Sequence, residues 1–273
     1  MDKKLCTVIV NSSDNYHEAW SPFFALVKKY WSDCPYDFVL NTQTKSYANE
    51  LVNVTTFNYS TQDIPQGDKW GKRLKHCLDS VNTPFVILLL EDFFLHDHVN
   101  QFEINKCIEI MQENQNIVSI YFKRISGYSV TSTIDQRFIL LDENKRFKCN
   151  LQASLWNRYE LSTILLDEDT PWSFEEYGHL RIRDVNKVFL CTKEGTHSSI
   201  KNAVFPYYTD RRMGYGIWSG KWLWNNSKLF KKNNIQIDRI KMKKFTRLDM
   251  VTYYIKRVIV KSFGKFVKRS KSS

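Results

Sequence analysis

The first half of the chain alternates between two hydrophobic periods. Leu5–Val10 is a mostly apolar run stopped by the polar Asn11-Ser12-Ser13, the pattern of a short buried strand. Between Ala19 and Trp31 the apolar residues Phe23, Leu26, Val27 and Tyr30 recur at helical spacing, and Tyr36–Leu40 reads as the next strand. Trp70–Ser80 predicts a helix with Leu74 and Leu78 on one face. Thr83–Leu90 follows, apolar on both faces from Phe85 onward and stopped by Glu91-Asp92. That run predicts a central parallel strand covered by helices on both sides. Phe102–Gln112 predicts a helix and Ile117–Phe122 a strand, so strands and helices alternate as in an open α/β sheet. The second half is less regular. Tyr159–Leu166 predicts a short helix, Pro171 begins another with proline in its first turn, and Lys187–Thr192 predicts a late strand.

Composition narrows the class. In 273 residues, 42% are hydrophobic and 15% aromatic, enough burial to offset the ordering entropy that keeps polar chains disordered. The six cysteines are far apart, without a CxxC pair or finger spacing, and read as scattered thiols of a reducing compartment. The apolar stretch Phe85–Leu90 is far below the roughly 18 residues needed to span a bilayer. Met1–Val10 lacks the length of a signal h-region and reads as a first strand.

The net charge of +11 changes the picture only once it is localised. Residues 240–273 hold eleven Lys/Arg against Asp249 alone, leaving 29 basic and 28 acidic residues in positions 1–239. The expected organisation is therefore a nearly neutral catalytic-size domain over 1–239 and a basic tail over 240–273. In the tail Leu248, Val251, Ile255, Ile259 and Phe266 form one helical stripe, opposite Arg247, Arg257, Lys261, Lys265 and Lys268. A basic amphipathic helix of this kind suits an anionic membrane surface; packing on the body or nonspecific nucleic-acid binding are the alternatives.

Four segments carry candidate chemistry. Ligand sites in open α/β sheets lie beyond the carboxyl ends of strands, where Glu91 and Asp92 stand. Carboxylates there hold Mg²⁺ or Mn²⁺ together with substrate phosphates, or merely solvate a strand end. Trp70-Gly71-Lys72-Arg73 opens a helix, and a helix N-terminus beside cations is a natural anion site; a solvated basic face with Trp70 as a core staple is the plainer reading. Gln152, Trp156, Trp172 and Glu175 are residue types that form a sugar-binding wall, with Glu175 also placed to act as a general base. Core packing and a favourable helix dipole compete with both roles. The glycine-rich Arg211–Trp222 segment offers Arg211 and Lys221 to a diphosphate but meets neither the P-loop nor the dinucleotide fingerprint. His197 is a candidate metal ligand or an ordinary loop histidine.

Taken in order, these segments resemble bacterial glycosyltransferases of the GT-A superfamily, of the capsule, exopolysaccharide or O-antigen type. The resemblance spans about residues 5–225. It is carried by Asn11-Ser12-Ser13, Trp70-Gly71-Lys72-Arg73-Leu74, Leu89-Leu90-Glu91-Asp92-Phe93-Phe94, Gln152-Ala153-Ser154-Leu155-Trp156, Trp172-Ser173-Phe174-Glu175 and Ser219-Gly220-Lys221-Trp222. It implies a GT-A-like (Rossmann-like), mostly parallel sheet flanked by helices. It also implies a nucleotide-sugar donor, a UDP-sugar first among them, a divalent metal, Mn²⁺ or Mg²⁺, and a lipid-linked or oligosaccharide acceptor. Glu91-Asp92 stands where that superfamily has its Asp-x-Asp motif, with the acids adjacent instead of one apart. On this resemblance Glu175 and Asp92 are catalytic. Glu91 and Asp92 hold metal, and Asn11, Ser12, Trp70, Arg73, Gln152, Trp156, Trp172 and Lys221 contact substrate; His197 as a metal ligand and Arg211 as a substrate contact are added from their residue types alone. The expected location is cytoplasmic, peripheral on the inner face of the cell membrane, with no specific nucleic-acid partner. The rival readings are another metal-dependent nucleotide-using transferase and a nucleic-acid-binding protein.

Overall fold

The computed structural model describes residues 4–49, 52–59, 69–141, 147–182, 184–193, 203–207, 216–218, 220–223, 226–237 and 243–253. The chain forms two compact units, Met1–Tyr215 and Gly216–Ser273, whose boundary lies upstream of the charge boundary at 239/240.

The first unit is Rossmann-like, with a mostly parallel eight-stranded sheet flanked by helices. Its elements in chain order are β1 (Cys6–Asn11), α1 (Trp20–Tyr30), β2 (Asp37–Thr42), β3 (Val54–Asn58), α2 (Trp70–Ser80), β4 (Phe85–Leu90) and α3 (Gln101–Glu113). They continue with β5 (Ile117–Tyr121), β6 (Phe138–Leu140), β7 (Ser154–Asn157), α4 (Arg158–Ile164), α5 (Pro171–Tyr177) and β8 (Val188–Thr192). The strand order is β3-β2-β1-β4-β7-β5-β8-β6. β1 pairs in parallel with β2 and β4, β2 with β3, and β5 with β8. β7 runs antiparallel between β4 and β5, and β6 is an antiparallel edge strand on β8.

The predicted elements of the first half are present with ends shifted by a residue or two, as fraying ends allow. β4 is central and buried, as its two-faced apolar run requires. Val86 and Leu88 face a core cluster with Leu74 and Leu78 of α2, Leu161 of α4, Phe174 of α5 and Phe189 of β8. Strand alternation turns Ile87 and Leu89 to the opposite face. On α1, Phe24 meets Phe38 of β2 edge-on, with centroids 6.0 Å apart.

Two short contacts fix the region around α2. The Gly71 amide donates to the Asp169 carbonyl at 2.9 Å, and the Lys72 amide to the Asp167 carbonyl at 3.2 Å. Asp169 is buried and tied in four ways. It accepts from the Leu166 amide at 2.9 Å, the Ser173 hydroxyl at 2.9 Å, Arg181 Nη2 at 2.8 Å and Arg181 Nη1. α5 starts on a capping box between Thr170 and Ser173, with Pro171 in its first turn.

The second unit is small. β9 (Ile217–Trp218) and β10 (Lys221–Trp222) pair antiparallel, α6 spans Asn226–Lys232, and residues 247–253 are helical. Trp222 is buried edge-on against Phe230, at 5.8 Å between centroids. Thr246 and Asp249 cap the last helix reciprocally, and Lys221 Nζ lies 2.5 Å from Asp249. These contacts, with burial only a minor opposing effect, bring Asp249 down to about 2. Leu248 and Val251 of the expected stripe are exposed, while Ile255, Ile259, Phe266 and the basic residues beyond 253 lie outside the described residues. Among the described residues no helix is long and apolar enough to cross a membrane. All six cysteines are free thiols.

Candidate functional site

Parallel strands place their carboxyl ends on one edge of the sheet, so the residues that follow them converge there whatever their separation in sequence. Asn11 ends β1 opposite Asn41 of β2 on one side and Leu90 of β4 on the other. The Asn41 side-chain amide donates to Asn11 Oδ1 at 2.6 Å, locking these strand ends together. Asp14, just beyond, accepts from the backbone amides of Gln43, Thr44 and Lys45 and joins the loop after β1 to the loop after β2.

Glu91 and Asp92 follow β4 at this edge, 8% and 7% exposed. Ser12 sits between Glu91 and the aromatic Trp20. Its Oγ accepts the Trp20 indole N–H at 2.7 Å and hydrogen-bonds the Glu91 carboxyl. Arg73 reaches the same point from α2, fully enclosed, with Nη2 donating to the Ser12 carbonyl at 2.7 Å. Burial first, then the Asp92 charge, pushes the Glu91 carboxyl well above the usual range, against the opposing pull of Ser12 and Arg73. The phenols nearby feel the same acids. Tyr16 is raised by burial and by Glu91 and Asp92, and Tyr207 is raised by burial and by Asp92.

A second group lies on the β7 and β5 side. The Tyr207 hydroxyl donates to Gln152 Oε1 at 2.6 Å, and its ring stacks on Phe93 at 4.4 Å. Lys123, two residues beyond β5, is 6% exposed and holds Nζ 5.4 Å from the Tyr207 ring centroid. Burial brings its ammonium down to about 8. Glu175 approaches from α5, where Oε1 accepts the Leu151 amide at 2.9 Å and burial raises its carboxyl.

Of the sequence candidates, Asn11, Ser12, Arg73, Glu91 and Asp92 thus converge at the end of β1 and β4. Gln152 is linked to them through Tyr207 and Phe93, and Glu175 is anchored beside the start of β7. Three expectations need correction. Trp156 lines no wall. It is 0% exposed in the core, its indole N–H bonded to Ser154 Oγ at 2.8 Å, because β7 turns it inward. Trp70 packs on Phe174 at 5.8 Å and serves the same core cluster. The first amides of α2 are not an anion site, since the 167 and 169 carbonyls take them. Trp172, by contrast, is 76% exposed, and it does not share a surface with Trp156. Lys221 lies in the second unit, ion-paired with Asp249. His197 and Arg211 lie outside the described residues.

The sequence reading missed Lys123, Tyr207 and Tyr16. Lys123 had a usable signal, a basic residue directly after the predicted strand ending at Phe122. Tyr207, 115 residues after Asp92 in the chain, had none. Glu91 and Asp92 form a hard oxygen-donor pair of the type Mg²⁺ and Mn²⁺ prefer. Among the described residues no group of three or more His, Cys, Asp or Glu is placed to hold an ion. An ion at this pair would therefore complete its shell with water and substrate oxygens.

No protein-family model matches this sequence, and none of the curated proteins matches it. Among solved structures, the chain is similar to S. aureus TarS 1-349, with 12% identity and a TM-score of 0.45 over 70% of this chain and 59% of that one. It therefore spans about six-tenths of the length of that TarS segment. The same TarS segment in complex with UDP-GlcNAc matches with 13% identity and a TM-score of 0.42, over 70% and 60% of the two chains. A cytidylyltransferase from Leptospira borgpetersenii matches with 10% identity and a TM-score of 0.41, over 66% and 72%. These are what the chain is similar to in fold, and its chemistry has to be argued from its own residues.

Proposed function

We propose that this chain is a GT-A-like glycosyltransferase. It moves a sugar from a nucleotide-sugar donor, a UDP-sugar, to a lipid-linked or oligosaccharide hydroxyl in cell-surface polysaccharide biosynthesis. One observation carries the reading: Ser12, Arg73, Glu91 and Asp92, from three separate segments, meet at the carboxyl edge of a mostly parallel sheet.

The chemistry asks the site to hold a diphosphate and to stabilise negative charge as it leaves. A divalent ion bound at Glu91 and Asp92 would neutralise that charge as a Lewis acid. Ser12 and Arg73 hold the Glu91 carboxyl in place, which fixes the direction from which the pair meets a ligand. Gln152, held by Tyr207, offers its amide to sugar hydroxyls. Glu175 is the proposed base that takes the proton of the incoming acceptor hydroxyl. Its burial raises its affinity for that proton, the direction a general base near neutral pH requires. The basic segment 240–273 is proposed to hold the enzyme on an anionic membrane surface, on the cytoplasmic face where a lipid-linked acceptor is presented.

The test is a donor screen with UDP-, GDP- and ADP-sugars, with and without Mn²⁺, run on the wild type and Asp92→Asn. Release of a free nucleoside diphosphate by the wild type, reduced at least about 100-fold in the folded variant, is the expected result. Pyrophosphate release from a nucleoside triphosphate would assign the site to a nucleotidyltransferase instead. Unchanged turnover by Asp92→Asn would remove the carboxylates from the reaction.

A further inference from the structure

We propose that the second unit grips an anionic phospholipid surface through one built patch. Leu248 and Val251 enter the headgroup layer, while Lys243, Lys244 and Arg247 meet lipid phosphates. The inference rests on the membrane reading and adds the residues that make the contact, within 243–251 instead of along the whole basic segment.

Charge is the first argument. Residues 216–273 hold sixteen of the forty Lys/Arg but, of the 29 acids, Asp238 and Asp249 alone, which leaves residues 1–215 with 24 bases and 27 acids. The positive excess therefore belongs to the second unit as a whole, packed residues included. Construction is the second argument. The Trp222 amide donates to the Lys243 carbonyl at 2.9 Å and the Phe245 amide to the Trp222 carbonyl at 2.8 Å, which pins 243–245 along β10 with Phe245 buried. In the helix that follows, Asp249 is held by Lys221 and Tyr253 meets Trp218 edge-on at 5.3 Å. Positions 249 and 253 share one helix face, so 247, 248 and 251 fall on the other. There Leu248 is 75% and Val251 50% exposed beside an exposed Arg247, with exposed Lys243 and Lys244 just ahead of the helix.

The third argument is the match to a surface. Asp249, the single acid between 243 and 253, is taken inside the unit by Lys221 and Thr246, so it does not repel anionic headgroups from the patch. Among the described residues Lys243, Lys244 and Arg247 are in no ion pair, which leaves their charge to an outside partner. Cations around exposed aliphatic side chains suit an interface, where phosphates take the charge and the acyl boundary covers the apolar groups. A nucleic-acid backbone would meet the same cations but leave Leu248 and Val251 in water.

The experiment is co-sedimentation of the full chain with vesicles of equimolar phosphatidylglycerol and phosphatidylcholine. It compares the wild type with Leu248→Ser/Val251→Ser, with Lys243→Ala/Lys244→Ala/Arg247→Ala, and with the charge-matched Lys265→Ala/Lys268→Ala/Arg269→Ala. All the substituted side chains in the patch are exposed, so those two variants are expected to keep the wild-type thermal midpoint. The serine pair, with charge unchanged, is expected to weaken vesicle binding about tenfold. The alanine triple in the patch is expected to weaken it by about tenfold more than the charge-matched triple. Wild-type binding by the serine pair overturns the inference, as do equal losses by the two alanine triples, which would assign the attraction to diffuse charge. A wild type that ignores the vesicles overturns the membrane reading itself, and duplex DNA binding by that chain would then assign the cations to nucleic acid. The two failures are therefore distinguishable.

Discussion

Glu175 shows how a single side chain serves both folding and chemistry. Its carboxyl is raised because burial disfavours the charged form, and the hydrogen bond from the Leu151 amide only partly opposes this. An acid whose folded-state pKa is raised binds more protons folded than unfolded, so it lowers stability as pH climbs from the unfolded value toward the folded one. Glu175→Gln keeps an oxygen for the Leu151 amide and removes the charge. Its stability relative to wild type is therefore expected to be level below the ordinary glutamate value of about 4.3 and to improve as pH rises above it, read as midpoints of urea unfolding across a pH series. A constant difference at every pH would show that the carboxyl is not perturbed. The same variant is expected to lose transferase turnover, because an amide takes no proton from the acceptor hydroxyl.

At the scale of elements, α2 is held less by its own sequence than by the chain that follows α4. A Cβ at Gly71 would lie 2.0 Å from the Leu166 carbonyl oxygen and 2.9 Å from the Asp169 Cβ. The first atom is backbone and cannot swing aside. Gly71→Ala is expected to cost about 1–3 kcal/mol or more by overpacking, measured by thermal or urea denaturation, and an unchanged midpoint would show that α2 docks elsewhere. This contact also explains why the Trp70-Gly71-Lys72-Arg73 segment misleads on sequence alone. Its glycine suits a ligand or a neighbouring backbone equally well, and only the fold says which.

The long periodic elements, β1, α1, α2, β4, α3 and β5, were legible because each repeats its pattern for a full element length. β3, β6 and β7 were not. β7 has four residues, too few for a period, and its Trp156 imitates a ligand-binding aromatic. At the site, Glu91 and Asp92 were legible because an apolar strand stops on them, whereas the partnership of Lys123 with Tyr207 depends on chain crossings that no local pattern encodes.

For the whole molecule, the charge division matters most. Twenty-nine basic and 28 acidic residues in positions 1–239 cancel, and the eleven Lys/Arg of 240–273 stand almost unopposed. The full chain is expected to sediment with vesicles containing anionic lipid and to be released by raised salt, each surface-bound basic residue contributing about 1 kcal/mol. Equal recovery with wholly zwitterionic vesicles would leave the basic tail without an electrostatic membrane role. The antiparallel insertion of β7 bears on the order in which the polypeptide assembles. As a ribosome delivers this chain, residues 85–90 emerge some 64 positions before the segment that must shield their outer margin. Until Ser154–Asn157 arrives, the most oily ribbon in the protein offers an open row of amides and carbonyls to any passing neighbour. Nascent-chain protection, and not the finished sheet, is therefore where this topology is most vulnerable.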